Sequence, residues 1–394
     1  MVNQRMKKLG QERSVIREIF EYGNARKREI GADNVFDFSL GNPNVPAPDA
    51  VNEEIVRLIK DTPSALLHGY TSAAGAPDVR KAVADYIRTT FSVPMSPELV
   101  YMTCGAAASL TVTLGALCEE GDEFIVIAPY FPEYRVFIEH AGGKVVEVAS
   151  DPTFHLDLHA LERAVGPRTK GVIVNSPNNP TGTVYTKEEM EALAALLKEK
   201  SMQRSSPVFL IADEPYRELT YGAEVVYPMS VYPDTVVCYS FSKSLSLAGE
   251  RIGYIAVSEQ CTAPEEVFAA VCGAGRSLGF VCAPALFQRV AAKCLGRSSD
   301  VAAYRENRDL LYGALTRLGF CCIPPEGAFY LFVKAPCEDA GAFCERAKAH
   351  ELLLVPSDSF GVKGYVRISY CVAKSVIERA LPKFEALAKE YRLS

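Results

Sequence analysis

Two short stretches of the sequence bring together side chains suited to carbonyl chemistry. In "SFSKSLSLAGERIG" (240–253), Lys243 stands between Ser242 and Ser244, and Arg251 follows eight positions later. In "FLIADEPY" (209–216), Asp213 follows an apolar run and Tyr216 comes three residues on. A lysine amine attacks carbonyl carbon, a buried carboxylate holds a proton or a cation, and a phenol donates a hydrogen bond to an oxygen. Both stretches begin where a strand-like run ends, and open α/β sheets keep their ligands at the carboxyl ends of their strands. Taken singly, each residue has a plain structural reading: Asp213 as a cap or turn former, Ser-Lys-Ser as a solvated loop. Their joint placement argues for a site.

The set suits pyridoxal 5'-phosphate. A lysine forms a Schiff base with the cofactor aldehyde. A buried aspartate keeps the ring nitrogen protonated, so that the ring can act as an electron sink. The phosphate needs hydroxyls, backbone N–H groups and a cation, and Ser240, Ser242 and Arg251 supply the first and the last. "TCGAAASLTVTLGAL" (103–117) supplies the backbone donors, because a glycine and small residues opening a helix leave N–H groups free for an anion.

The elements that must position these groups are legible as periodic runs. Apolar, strand-like stretches occupy 123–128, 144–149, 171–174, 208–212, 235–239 and 252–257. Between two of them, "TKEEMEALAALLKEK" (186–200) opens with Thr186 and Glu189 in capping-box spacing and continues with helical apolar spacing. Near-continuous apolar strands alternating with helices predict an α/β fold, its mostly parallel, seven-stranded-type sheet covered on both faces. After this alternation, "VAAYRENRDLLYGALTRLG" predicts a long helix, "GAFYLFVKA" and "GYVRISYCV" predict strands, and "KSVIERALPKFEALAKEY" predicts a closing helix. The expected organisation is a large domain over 49–285 and a smaller α+β domain over 286–394. Residues 1–48, a charged amphipathic helix and then "VFDFSLGNPNVPAP", are too short to fold alone and are expected to pack with the smaller domain.

Composition narrows the function classes. The net charge of −6 over 394 residues provides no basic field for nucleic acid. No apolar run reaches the roughly 18 residues of a membrane span, and the start "MVNQRMKKLG" is not a signal peptide, so a cytoplasmic chain is expected. The twelve cysteines run from Cys104 to Cys371 without a Cys-x-x-Cys spacing. They are expected to be reduced and buried as small apolar side chains. His155 and His159 share helix-face spacing but have no partners that complete a metal site, so no metal is expected.

Taken in order, these stretches resemble the class I/II aminotransferases, fold-type I pyridoxal-phosphate enzymes of the aspartate aminotransferase superfamily. The resemblance runs through "LGNPNVPAP" (40–48), "HGYTSAAGAPDVRKAVADY" (68–86), "NSPNNPTG" (175–182), "ADEPY" (212–216) and "SFSKSLSLAGERIG". It implies that Lys243 is the Schiff-base lysine and the acid–base that moves the substrate proton. It pairs Asp213 with the ring nitrogen, and sets Asn179 and Tyr216 on the phenolic oxygen of the ring. Gly105, Ala106 and Ala107 would hold the phosphate with Ser240, Ser242 and Arg251, and Phe131 in "APYFPEY" would stack on the ring, with Tyr130 as the other candidate. Tyr70 would reach the phosphate of a partner subunit, which implies a homodimer with a shared active site. Arg367 in "YVRISY", aided by Gly41 and Asn179, would clamp the substrate carboxylate.

Two departures from better-known members stand out. Ala106-Ala107-Ala108 offers no hydroxyl or charge, so phosphate binding there rests on backbone N–H groups, and the chain has no tryptophan to stack on the ring. The expected activity is a ping-pong transfer of an amino group between an L-amino acid and a 2-oxo acid, with aspartate and 2-oxoglutarate as the first candidates. Arg135 and Arg276 are the candidate cations for a second substrate carboxylate. The alternatives are alanine or aromatic specificity, or a carbon–sulfur β-lyase on the same fold, because fold and cofactor do not separate these reactions.

Overall fold

The computed structural model of the chain describes residues 1–11, 14–204 and 206–393. After a short strand β1 (Phe36–Asp37), the chain builds seven strands of one sheet: β2 (Val100–Thr103), β3 (Glu123–Ala128), β4 (Lys144–Ala149), β5 (Thr169–Asn175), β6 (Phe209–Asp213), β7 (Thr235–Ser240) and β8 (Gly253–Val257). Their order across the sheet is β2-β8-β7-β6-β5-β3-β4, and every pairing is parallel except the two made by β8. The fold is the expected α/β class with a mostly parallel seven-stranded sheet.

The six expected apolar runs coincide with β3 to β8. Strands β6, β7 and β8 are buried at every position, as strands covered on both faces must be. At the edge, β4 exposes Lys144 and Glu147, charges that blunt an unpaired strand edge. Only β2 was not anticipated: its four residues are too short for a periodic signal, and antiparallel pairing with β8 is what holds them extended. The capping box forms as expected, with Thr186 N–H donating to Glu189 Oε2 at 2.7 Å and Glu189 N–H to Thr186 Oγ1 at 3.2 Å. Glu189 also pairs with His155 Nδ1 at 2.9 Å, while His159 is exposed.

A second group of elements follows: the helix Val301–Arg317, then β9 (Tyr330–Lys334), β10 (Leu352–Leu353), β11 (Val355–Pro356), β12 (Tyr365–Ser369) and the helix Lys374–Glu390. Strands β11, β12 and β9 form an antiparallel sheet, and β10 pairs in parallel with β1. Two hydrophobic cores result. One surrounds the main sheet; the other joins Phe36 and Phe38 to Tyr304, Phe329, Ile368 and Phe384. Tyr216 and Leu219 belong to the second core although they follow β6 of the main sheet, so this loop bridges the two.

The N-terminal segment differs from the single helix expected. It forms two, Gln4–Gln11 and Val15–Ile30, because Ser14 caps the second by accepting Arg17 N–H at 3.3 Å. Arg26 binds Glu351 at 2.6 Å and Lys27 binds Asp37 at 3.0 Å. The cysteines also differ in part. All twelve are free thiols, but only Cys238, Cys261, Cys294, Cys344 and Cys371 are buried. Cys321 is exposed and the other six are half-buried, since they lie on turns and partly solvated faces rather than in either core.

Candidate active site

The sheet register collects the candidate residues at one edge. Asn175, last in β5, lies opposite Asp213, last in β6, and Asp213 lies opposite Cys238, two residues before the end of β7 at Ser240. Because β8 is antiparallel, its first residue, Gly253, meets both Ser240 and Thr103 at this same edge. Arg251 and the Gly105 turn are thereby delivered beside Ser240. Gly105 has φ +84° and caps the helix Ala106–Leu117; a Cβ there would stand 3.0 Å from Arg251 Nη2. Glycine is needed for both reasons: the left-handed backbone and the close guanidinium.

A cavity of about 250 Å³ opens at this edge. Gly41, Ala106, Ala107, Phe131, Asn179, Asp213, Tyr216, Ser240, Ser242, Lys243, Arg251 and Arg367 all line it. Tyr70 does not: its side chain is 99% exposed, away from the cavity of its own chain. Of the two neighbouring rings, Phe131 faces the cavity and packs edge-on against Tyr134 with centroids 5.6 Å apart. Tyr130 is turned to the sheet edge, where its hydroxyl donates to Glu147 at 2.6 Å.

The polar groups divide into an anion cradle, a carboxylate and an amine. The cradle comprises the first turn of the Ala106 helix, Ser240 and Ser242 with hydroxyls 2.7 Å apart, and Arg251, whose Nη1 is 3.5 Å from Ser242 Oγ. Free N–H groups at a helix start, two hydroxyls and a guanidinium make a phosphate-sized anion site. Asp213 is 4% exposed; Tyr134 donates to its Oδ2 at 2.5 Å, while Oδ1 has no partner among the described residues. Burial pushes its carboxyl up to about 7, opposed by the Tyr134 hydrogen bond. Lys243 donates from Nζ to the Gly41 carbonyl at 2.6 Å. Burial pulls its amine down to about 8, with Arg251 and Arg367 adding to the shift, so an appreciable neutral fraction exists near neutral pH.

Arg367, on β12, is the cation opposite the cradle. Nη1 donates to Asn179 Oδ1 at 2.9 Å and Nη2 to the Ser39 carbonyl at 2.6 Å, while Nε is buried with no partner among the described residues. Its guanidinium lies over Tyr330 at 4.6 Å and Phe360 at 5.1 Å. Tyr330 in turn meets the Tyr216 hydroxyl at 2.8 Å. Gly41 is confined by the Tyr330 hydroxyl, which a Cβ at position 41 would strike.

Three contributors were not singled out in the sequence: Tyr134, Asn175 and Tyr330. Asn175 accepts Asn179 N–H at 2.8 Å and donates to the Asp213 carbonyl at 2.8 Å, and it is the first residue of the "NSPNNPTG" motif. Tyr134 sits in "APYFPEY", where its ring reads in the sequence as one more apolar core residue. Ile16 and Leu40 close the cavity as apolar walls. Neither candidate for a second substrate cation lines it. Arg135 is drawn off by Glu147 and by Glu139 at 3.4 Å, since Tyr134 and Arg135 are adjacent on a helix and cannot face the same way. Arg276 is exposed near the end of the helix Pro264–Leu278.

Comparison with known proteins bears on this geometry. The family described as "Aminotransferase class I and II" matches residues 33–384. The aspartate/prephenate aminotransferase of Thermus thermophilus is 33% identical over 378 residues, covering 92% of this chain and 93% of that protein. Among solved structures, an aminotransferase from Eubacterium rectale superposes with a TM-score of 0.97 at 52% identity, covering 99% of both chains. The aspartate aminotransferase of T. thermophilus with maleate superposes with a TM-score of 0.87 at 30% identity, covering 98% of this chain and 99% of that one.

Proposed function

The chain belongs to the class I and II aminotransferases, and from that premise we propose that the cavity between Lys243, Asp213 and Arg367 is a transamination site that holds pyridoxal 5'-phosphate. The observation that carries this reading is the unpartnered buried Oδ1 of Asp213, a carboxylate oxygen that calls for a cationic N–H. Around it, the residues fit the cofactor. The Ala106 turn, Ser240, Ser242 and Arg251 hold its phosphate, Asp213 its ring nitrogen, Tyr216 and Asn179 its ring oxygen, and Phe131 its face. When bound, the cofactor supplies an electrophilic carbon and an electron sink.

The chain's own residues do the rest. Arg367 grips the α-carboxylate of the amino acid with a guanidinium preset by Asn179, the Ser39 carbonyl and two aromatic faces. Lys243 Nζ, partly neutral because of its burial, takes the proton from substrate Cα. Ile16, Leu40 and Phe131 keep water from the reacting centre. Replacing Arg367 with lysine is expected to raise KM for the amino acid about 10- to 100-fold, the worth of a lost charged hydrogen bond, with a smaller change in kcat. Steady-state kinetics against donor concentration check this.

For the donor, the first candidate is aspartate with 2-oxoglutarate as acceptor, supported by the names of the T. thermophilus relatives and by the dicarboxylate maleate in one of them. A second reading, an amino acid with an uncharged side chain, is favoured by the lining itself. Its cations are Lys243, Arg251 and Arg367, and each already has a task. The assembly is a homodimer in which Tyr70 reaches the partner's phosphate. Supporting it are the exposed apolar side chains of Leu66, Tyr70 and Val281; the residues that follow the last two in sequence, Thr71 and Cys282, meet through a Cys282 Sγ hydrogen bond to the Thr71 carbonyl at 3.1 Å. Twelve free thiols suit a reducing, cytoplasmic compartment. The division into a large domain over 49–285 and a smaller one over 286–394 is supported by the presence of two hydrophobic cores, although Val290, Ala291 and Cys294 pack with the first.

The test is the absorption spectrum of the purified protein with pyridoxal phosphate. A visible band that bleaches with L-aspartate and returns with 2-oxoglutarate establishes both half-reactions. A band indifferent to aspartate but responsive to alanine or phenylalanine selects the second reading. Absence of a band overturns the assignment of Lys243.

A further inference from the structure

Behind the cavity wall lies a buried cluster of charges that the proposed chemistry does not use. Arg217 is enclosed by three aromatic rings, those of Tyr239, Phe91 and Tyr227, at 4.3, 4.9 and 5.5 Å from its guanidinium carbon. Its Nη1 donates to Glu214 at 2.7 Å, its Nε to Glu218 at 3.3 Å and its Nη2 to the Tyr254 hydroxyl at 3.2 Å. Glu218 Oε1 also accepts from the Tyr239 hydroxyl at 2.9 Å, and that hydroxyl lies 2.9 Å from Ser244 Oγ. Two carboxylates thus converge on one guanidinium, and Glu218 Oε2 is buried with no partner among the described residues. Such a cluster is a poor source of stability, because desolvating the charges offsets most of their attraction. What it can do is fix geometry.

The two ends of the cluster lie beside the two halves of the reacting centre. Glu214 is bonded to Asp213 through the backbone, and Arg217 to Tyr216. Ser244 is bonded to Lys243, on the short helix Phe241–Ser244. That helix has a single turn and little rigidity of its own, so its position is set by what grips it. Ser299 N–H holds the Ser244 carbonyl at 2.6 Å from one side, and Tyr239 holds the Ser244 side chain from the other.

We infer that Tyr239 and Glu218, gathered by Arg217, act as positioning residues that clamp the Lys243 turn to the loop that follows Asp213 and carries Tyr216, through the hydroxyl of Ser244. This rests on the proposed roles of Lys243 and Asp213. The clamp sets the distance between amine and carboxylate, and it does not touch the substrate.

The test compares Tyr239→Phe, Ser244→Ala and the double variant with the wild type. Tyr239→Phe keeps the ring that packs on Arg217 and deletes only the bridging hydroxyl. Each single variant is expected to lower kcat about tenfold, the rate equivalent of one hydrogen bond, with KM for the amino acid within about twofold because Arg367 lies outside the clamp. The double variant is expected to be no worse than either single, since both delete the same bridge. A second readout does not depend on turnover: the rate at which cofactor-free protein captures pyridoxal phosphate on Lys243, trapped with borohydride and counted by mass, slows alongside kcat. Wild-type kcat and capture rate in both single variants would overturn the clamp, as would multiplicative losses in the double. If Tyr239→Phe fails to fold, Ser244→Ala, which removes one oxygen, decides alone. A wild type that captures no cofactor overturns the clamp and the proposed site together, whereas capture by the wild type with unaffected variants overturns the clamp only.

Discussion

Lys243→Ala is expected to abolish the visible band of the cofactor-loaded protein and to lower transamination by at least about 10⁴-fold, since one amine supplies both the covalent anchor and the proton transfer. The loss should fall on kcat, with cofactor affinity reduced but not lost. The cradle of Ser240, Ser242, Arg251 and the Ala106 turn does not involve the lysine side chain, so phosphate binding survives. Equilibrium dialysis with pyridoxal phosphate separates the two effects. Arginine at 243 serves as the control: it restores the positive charge but not a nucleophilic amine, so recovery of the band in Lys243→Arg would refute the assignment. The lowered value of about 8 at Lys243, caused by burial and then by Arg251 and Arg367, adds a pH signature. The neutral amine is depleted as pH falls below that value, so capture of the cofactor by the empty protein should slow on the acid side.

Asp213→Asn is expected to separate activity from stability. An amide cannot keep the ring nitrogen protonated, so kcat should fall by about 10²- to 10³-fold or more, the range of a lost charge-stabilising group in a water-excluded site. In the cofactor-free protein the same change should stabilise. Asp213 sits at about 7 in the folded chain, above its unfolded value near 4. The folded state therefore binds this proton more tightly, and stability declines as pH rises from about 4 to about 7 and stays low above it. At pH 8 the empty site holds an unpaired carboxylate at a cost of roughly 4 kcal/mol, three pH units at about 1.4 kcal/mol each. Asp213→Asn removes that penalty. Its thermal midpoint without cofactor should exceed that of the wild type at pH 8, and the difference should vanish near pH 4. With cofactor present the order should narrow or reverse, because only the wild-type carboxylate gains a cationic partner. A variant less stable at every pH would show that Asp213 is a structural hydrogen-bonding residue and nothing more.

Much of the architecture was legible because it depends on local pattern. Strands β3 to β8 announce themselves as apolar runs, since strands covered on both faces have no polar side to alternate. Thr186 and Glu189 announce a helix start because both partners of a capping box lie within one turn. Strand β2 carries no such pattern, being four residues held by a neighbour at least 150 positions away in sequence. Arg135 and Arg276 could be proposed from residue type alone, but side-chain direction on a helix is decided by what packs beneath it. Tyr134 was inside, so Arg135 had to be outside.

By itself the sequence determined the chemical vocabulary of the site. Lys243, Asp213, the two serines, Arg251 and the Gly105 turn each stand next to the end of a strand, and a strand end is a local fact. The pairings were decided by tertiary structure alone. Tyr134 reaches Asp213 across 79 positions, Arg367 reaches Asn179 across 188, and Lys243 reaches Gly41 across 202. The reason is physical. A residue's reactivity follows from its burial and its partners; burial belongs to the packed cores, and partners at such separations meet only when the sheet order and its one antiparallel strand bring the chain back to the same edge.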